Sequence, residues 1–257
     1  MANIYAIGGG FSYPIIINMI NFSGTPGMPN ILIVMHSKTS RAPYSYENKF
    51  QTILANNFSK DERLNGTRAI NPLDISETEI DRLIKWADII YVCPGDTNTL
   101  LREWKQVGFG ERMIEIFKND KRKLLAGVSS GANCWFSSYT TELSDRSIEA
   151  GAGLGLIDAH ISCHSDKKEI RVFHERTIKE NGKLGILLPN NTAIATDGNN
   201  CKFIVCNGGT ILSPKEKPIV SYYDEGEYQS AIIPSSTEIM APLNKTLVKK
   251  RYDTRKS

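Results

Sequence analysis

The sequence predicts an α/β protein whose mostly parallel sheet carries helices on both faces, and three observations lead there. Ile4–Ile7, Ile31–Met35, Ile89–Cys93 and Leu124–Ala126 are short apolar runs with no polar face, the pattern of strands buried on both sides. Segments with helical spacing of apolar residues separate several of them, which is the alternation of a parallel sheet. After residue 150 the pattern changes to short strands with Gly/Asn turns at Ala193–Ala195, Lys202–Cys206 and Gly209–Leu212, so a short antiparallel extension on the same domain is expected.

Taken in order, Ile4-Tyr5-Ala6-Ile7 is a strand stopped by Gly8-Gly9-Gly10, and Ile31–Met35 is a second ending in the polar loop His36-Ser37-Lys38-Thr39-Ser40. Tyr46, Phe50, Ile53, Leu54 and Phe58 recur at helical spacing across residues 45–58. Ser76-Glu77-Thr78-Glu79 is a capping box, and Ile80, Leu83, Ile84 and Ala87 form the apolar stripe of the helix it starts. Asp88 leads into Ile89–Cys93, which breaks at Pro94-Gly95-Asp96-Thr97 before a helix through Leu100, Leu101 and Trp104. A helix over Arg112–Phe117 precedes the strand Leu124–Ala126.

At 257 residues the chain is long enough to bury a large core, and residues 1–257 are read as one α/β domain with a flexible basic tail from about residue 245 that contains Lys249-Lys250-Arg251. Thirty-one basic and 28 acidic residues leave a net charge of +3, which does not point to nucleic acid. No apolar run reaches the ~18–20 residues of a membrane span, and Met1–Gly10 has no basic region ahead of an apolar stretch. The five cysteines (93, 134, 163, 201 and 206) lie mostly in apolar strand-like runs. They read as reduced thiols, and the expected location is cytoplasmic.

The stretch that carries chemistry is Leu124–Phe136, where an apolar run ends in Gly127-Val128-Ser129-Ser130-Gly131. This is the G-x-S-x-G pattern of a nucleophile elbow at a strand-to-helix turn. Ser129 stands at its apex, and the N–H of Ser130 begins the following helix, where an oxyanion can be held. In a parallel sheet ligands gather beyond the carboxyl ends of the strands. Gly8–Gly10, His36–Ser40, Cys93–Thr97 and Val128–Gly131 all fall there. Gly8–Gly10 lacks the G-x-G-x-x-G spacing and a following acid about 20 residues on. It is read as a place of close backbone approach, and nucleotide binding is weakly supported.

A serine nucleophile needs a base, and the base an orienting group. Among the four histidines, His174 lies in the charged stretch Arg171–Arg176 and reads as a surface residue, while His36 reads as a structural hydrogen-bonding residue at the cleft rim. His160 and His164 flank Ile161-Ser162-Cys163, and spacing alone does not choose between them. His164 precedes Ser165-Asp166 and therefore ends the strand at a loop. Glu142, Asp145, Glu149 and Asp158 are the candidate acids between elbow and histidine, and nothing local decides among them.

These residues bring out a resemblance over most of residues 4–212. The chain resembles the peptidase E family, dipeptidase E-like serine peptidases related in fold to the class I glutamine amidotransferases. Ile4–Gly10 is similar to the family's first strand and turn, and Ala87–Val92 with Pro94-Gly95-Asp96-Thr97 to the strand leading into its G-G-N-T loop. Leu125–Ala132 resembles its G-x-S-A-G-A elbow, Cys134-Trp135-Phe136 fits one subgroup, and Gly153–Leu156 with Cys163–Asp166 resembles the segment bearing its histidine. The resemblance implies a class I glutamine amidotransferase-like, flavodoxin-like fold. It implies Ser129 as nucleophile, His164 as base, and the backbone N–H groups of Gly95 or Asp96 and of Ser130 as oxyanion hole. Glu142 is favoured over Asp145 as the acid, since it falls where the subgroup has Thr-Asp.

Three departures stand out: Pro-Gly-Asp in place of Gly-Gly-Asn, Ser130 in place of alanine, and Ser137 where the subgroup often carries Glu. Implied is cleavage of short peptides through an acyl-enzyme without metal or organic cofactor. Arg171, with Lys167 and Lys168, is a candidate for binding an acidic substrate group. Nucleic acid and membrane are not expected partners, and a homodimer is compatible with this reading. The alternative is a catalytically drifted relative that binds a small ligand.

Overall fold

A computed structural model describes residues 3–10, 13–36, 55–143, 145–205, 217–233 and 241–244. Among these residues the strands form two sheets. The first contains β1 (Asn3–Ile7), β2 (Asn30–Val34), β3 (Gly66–Ile70), β4 (Ile89–Val92) and β5 (Leu124–Val128), all parallel, in the order β1-β5-β4-β2-β3. The second is built around β6 (Phe136–Glu142), β7 (Ile148–Gly151), β8 (Ile157–Cys163) and β9 (Gly185–Leu188), with β6, β8 and β9 parallel and β7 antiparallel at the edge. β10 (Thr192–Thr196) returns antiparallel to β1 and continues through β11 (Asn200–Val205) to β14 (Ala241–Pro242). β12 (Ile219–Asp224) and β13 (Glu227–Ile232) extend the second sheet beside β9.

The mixed α/β architecture and the antiparallel extension therefore agree with the sequence pattern. The second sheet, with its own parallel core, is what the pattern did not separate.

Helices pack on the first sheet because its strands are apolar on both faces. Ile4, Ala6, Leu32, Val34, Ile90, Val92 and Leu125 face one core cluster, and Tyr5, Ile7, Ile31, Ile33, Ile89, Tyr91, Leu124 and Ala126 the other. α1 (Tyr13–Phe22) sets Ile15, Ile16, Met19 and Ile20 against the second cluster. α2 (Glu77–Trp86) begins where the capping box predicts: Ser76 Oγ accepts from the Glu79 N–H at 3.3 Å. α3 (Thr97–Gln106) and α4 (Phe109–Asn119) bury Leu100, Trp104, Phe109 and Met113 in the first cluster. α5 (Ser130–Asn133) is a single turn after β5, and α6 (Lys168–Asn181) packs on the second sheet. No helix of the described residues is long and apolar enough to cross a membrane. The helical spacing over 45–58 falls mostly outside the described residues, where only 55–59 are seen as helix. Cys206, Gly209–Leu212 and the basic tail also lie outside them.

Candidate active site

Strand order gathers three loops at the elbow. β5 lies between β1 and β4, so the turn after β5 is flanked by Gly8–Gly10 on one side and Pro94–Thr97 on the other. The elbow's glycines are there because of contact. A Cβ on Gly127 would lie 2.1 Å from the Gly131 carbonyl oxygen, and one on Gly131 would lie 2.3 Å from the Val92 carbonyl oxygen. This tight turn forces Ser129 into φ 55°, ψ −114°, an unfavourable conformation for a residue with a side chain and one that persists only where the surroundings impose it. The Ser129 N–H donates to the Ile7 carbonyl at 3.0 Å, which ties the apex to β1.

The second sheet supplies the partner. The His164 N–H donates to the Gly8 carbonyl at 3.0 Å, fastening the end of β8 to the end of β1. His164 itself has φ 54°, which breaks the strand alternation that would leave it beside His160 and Ser162. Its Nε2 lies 2.8 Å from Ser129 Oγ, and its Nδ1 lies 2.9 Å from Asn190 Oδ1. Asn190 is held in turn: its Nδ2 donates to Asp166 Oδ2 at 2.9 Å and its backbone N–H to Asp166 Oδ1 at 3.4 Å. Burial lowers the His164 pKa, while the Asn190 hydrogen bond and then the Asp166 charge act against that shift. A partly buried imidazole kept neutral is a competent proton acceptor near neutral pH.

Gly8–Gly10 makes this approach possible. A Cβ on Gly9 would fall 2.1 Å from Asn190 Oδ1 and 2.5 Å from His164 Nδ1. The close backbone approach expected of the triple glycine is made to the chain's own His164 and Asn190.

On the other side, the Pro94–Asp96 loop departs from the pattern it resembles, yet its polar groups have defined places. Asp96 Oδ1 accepts from the Thr99 N–H at 2.6 Å, so the carboxylate caps α3. The buried His36 imidazole approaches Pro94 O with Nε2 at 3.2 Å and packs on Gly95, where a Cβ would meet its Cε1 at 2.0 Å. A trans peptide unit points its C=O and N–H in opposite directions. With the Pro94 carbonyl turned to His36, the Gly95 N–H faces away from that imidazole. Ser130, at the first position of α5, has no intrahelical acceptor for its N–H.

Other candidates are elsewhere. Glu142 forms an ion pair with Lys167, and its charge reaches His164 only as a minor influence. Asp145 accepts from Ser147, Glu149 from Asn98 Nδ2 and Asp158 from Lys183. Arg171 lies in the first turns of α6, its N–H bonded to the Lys167 carbonyl. His174 corrects the reading of a surface residue. It is fully buried, with Nδ1 2.7 Å from Ser162 Oγ and Nε2 3.0 Å from Ser221 Oγ. His160, also fully buried, contacts Ser138 Oγ and Thr140 Oγ1 at 2.9 and 2.8 Å. Asn190 was not among the candidate residues, although Pro189-Asn190-Asn191 follows a short apolar run just as the other cleft loops do. Among the described residues there is no cluster of three or more His, Cys, Asp or Glu side chains arranged to hold a metal ion.

A family model described as peptidase family S51 matches residues 15–204. The chain belongs to peptidase family S51, the peptidase E family. A Bacillus subtilis (strain 168) protein described as the uncharacterized peptidase YgaJ is 34% identical to it over 90 residues, which is 34% of this chain and 38% of that protein. The matched region thus spans well under half of that relative. Among solved structures, a peptidase from an acI-B1 Actinobacterium superposes with a TM-score of 0.60 at 15% identity, covering 94% of this chain and 97% of that one. A putative peptidase E protein from Listeria monocytogenes EGD-e gives 0.57 at 18% identity, covering 79% and 98%. At these identities the two structures speak for the S51 fold alone.

Proposed function

We propose that this S51 member is a serine peptidase that hydrolyses short peptides through an acyl-enzyme. The observation that carries the reading is the 2.8 Å contact between Ser129 Oγ, at the apex of a strained strand-to-helix elbow, and His164 Nε2. Ser129 O–H donates to Nε2, and as the oxygen attacks a peptide carbonyl the imidazole takes its proton. The carbonyl oxygen becomes an oxyanion, for which the Ser130 N–H at the head of α5 and the Gly95 N–H are the donors. One such donor is worth ~3–4 kcal/mol in the transition state. The imidazolium then protonates the leaving amine, and water, deprotonated by His164, releases the acyl group and restores Ser129. No step calls on a metal or an organic cofactor.

The loops after β1, β4 and β5 meet at Ser129, and short peptides are the proposed substrates. Arg171, with Lys167 and Lys168, is the proposed pole for an acidic substrate group. The free, buried cysteines at 93, 134, 163 and 201 fit a reducing, cytoplasmic setting. The second reading, a drifted relative that binds a small ligand, is favoured by one observation: His164 Nδ1 meets a neutral amide oxygen where a carboxylate would stabilise the imidazolium.

Incubation with a fluorophosphonate probe and a dipeptide library decides between the two. Labelling and turnover are expected in the wild type, and both should vanish in Ser129→Ala with the fold retained. Turnover that persists in Ser129→Ala refutes the assignment. Absence of wild-type labelling and turnover, with thermal stabilisation by a small ligand, selects the second reading.

A further inference from the structure

We propose that Asp166 is a positioning residue that fixes, through Asn190, which nitrogen of His164 carries the proton; this rests on the peptidase reading above. The hydrogen bonds are consistent in only one direction. Asp166 as a carboxylate is acceptor-only, so the nitrogen end of the Asn190 carboxamide must face it, as the 2.9 Å Nδ2–Oδ2 contact has it. The amide oxygen then faces His164 at 2.9 Å, and Nδ1 must be the protonated nitrogen to make that bond. Nε2 is thereby left bare, and it is the nitrogen 2.8 Å from Ser129 Oγ.

The alternative arrangement is one amide flip away. With Asn190 reversed, its Nδ2 would donate to a bare Nδ1, the proton would sit on Nε2, and Ser129 would lose its base. Little else in the packing decides between the two. The Gly9 backbone presses on the His164–Asn190 contact from behind, and the Asn191 N–H is bonded to the Gly9 carbonyl at 2.8 Å. These contacts hold the Asn190 side chain in place, but the two ends of a carboxamide have nearly the same shape. Charge and hydrogen bonding at Asp166 distinguish them. Asp166 itself is exposed, so it can be changed without opening a cavity.

The test uses the full chain, with kcat and KM measured on a cleaved dipeptide and the His164 tautomer read from imidazole ¹H–¹⁵N correlations of the free protein, assigned with His164→Gln. Asp166→Ala should lower kcat about 10–100-fold, the scale for losing an orienting outer partner of a histidine, with KM little changed. It should also convert His164 from Nδ1–H to a mixture of tautomers. Asp166→Asn, which can still present an oxygen to Asn190 Nδ2, should recover most of both. A wild-type tautomer in Asp166→Ala, with or without loss of kcat, overturns the proposal, as does Asp166→Asn behaving like Asp166→Ala. Should the wild type fail to cleave any peptide, the tautomer measurement still decides the role of Asp166 separately from the peptidase reading.

Discussion

The buried histidine pair of the second sheet predicts a specific acid sensitivity. His160 and His174 have ring centroids 5.3 Å apart, and hydroxyls connect them: Ser221 Oγ lies 3.0 Å from His174 Nε2 and Ser162 Oγ 2.7 Å from His174 Nδ1. Ser162 donates to Thr140, whose Oγ1 lies 2.8 Å from His160 Nε2, and Ser138 Oγ lies 2.9 Å from His160 Nδ1. Hydroxyls can turn to accept from either imidazole, so the chain itself does not fix the charge; burial does. Burial, with the Lys183 charge nearby, pushes the His160 pKa down from 6.5 to about 4. Burial, then the neighbouring His160, pushes His174 well down as well.

Because the folded pKa values are depressed, the unfolded chain binds more protons, and stability falls as pH drops below about 6.5 toward 4. For His160 alone, a shift from 6.5 to about 4 amounts to about 3 kcal/mol lost between pH 7 and pH 4, at 1.36 kcal/mol per unit. That is a large part of a stability of ~5–15 kcal/mol. The assay is urea unfolding at pH 7, 6, 5 and 4 of the wild type and His160→Gln. The variant is expected to be weaker at pH 7, since it loses one link of a buried network. Between pH 7 and 4, however, it should lose about 3 kcal/mol less than the wild type. Parallel curves for the two proteins would show that His160 is not held neutral, and the reasoning would fail.

Two further outcomes follow from single contacts. Glu142→Gln removes one partner of an exposed ion pair with Lys167, so kcat should stay within about fivefold of the wild type, the upper end for such pairs. A fall of several orders of magnitude would make Glu142 the acid that completes the site. Gly131→Ala places a methyl 2.3 Å from the Val92 carbonyl, and β4 or the elbow must move. Thermal or urea unfolding should register a loss of about 1–3 kcal/mol or more, and unchanged stability would mean the elbow has room that its geometry denies.

Much of the first sheet was legible because buried parallel strands have a distinct signature. Residues 4–7, 31–34, 89–92 and 124–128 are apolar throughout, and each is a strand. α2 was legible through its cap. The elements that escaped carry mixed signals. α1 is nearly uniformly apolar apart from its asparagines and shows no polar face to set a period. β3 is an edge strand with Arg68 and Ala69 exposed, so it lacks an apolar run. His174 sits in a helix dense with charges, and only the buried face of α6 against Ser162 and Ser221 explains how a histidine lies in its interior.

At the site, local sequence marked Ser129 through its elbow and was silent on the group that meets His164 Nδ1. The elbow's signature is local, since Gly127, Ser129 and Gly131 fall within five residues, although Ile7 and Val92 help to hold its geometry. The partner on His164 Nδ1 is instead a product of strand pairing. β9 runs parallel to β8 with Leu188 opposite Cys163, so whatever follows β9 lies beside whatever follows β8. Asn190 reaches His164 for that reason, 26 residues along the chain. The carboxylates expected from sequence lie between elbow and histidine, whereas Asn190 is an amide and follows the histidine. A carboxylate is still present one residue further out: Asp166 accepts from the amide whose oxygen meets the imidazole. Under the proposed mechanism the relay would fix the tautomer as a carboxylate would, and an imidazolium at His164 would be stabilised from a greater distance. A site built this way is expected to turn over with a properly oriented base and a weakened electrostatic contribution.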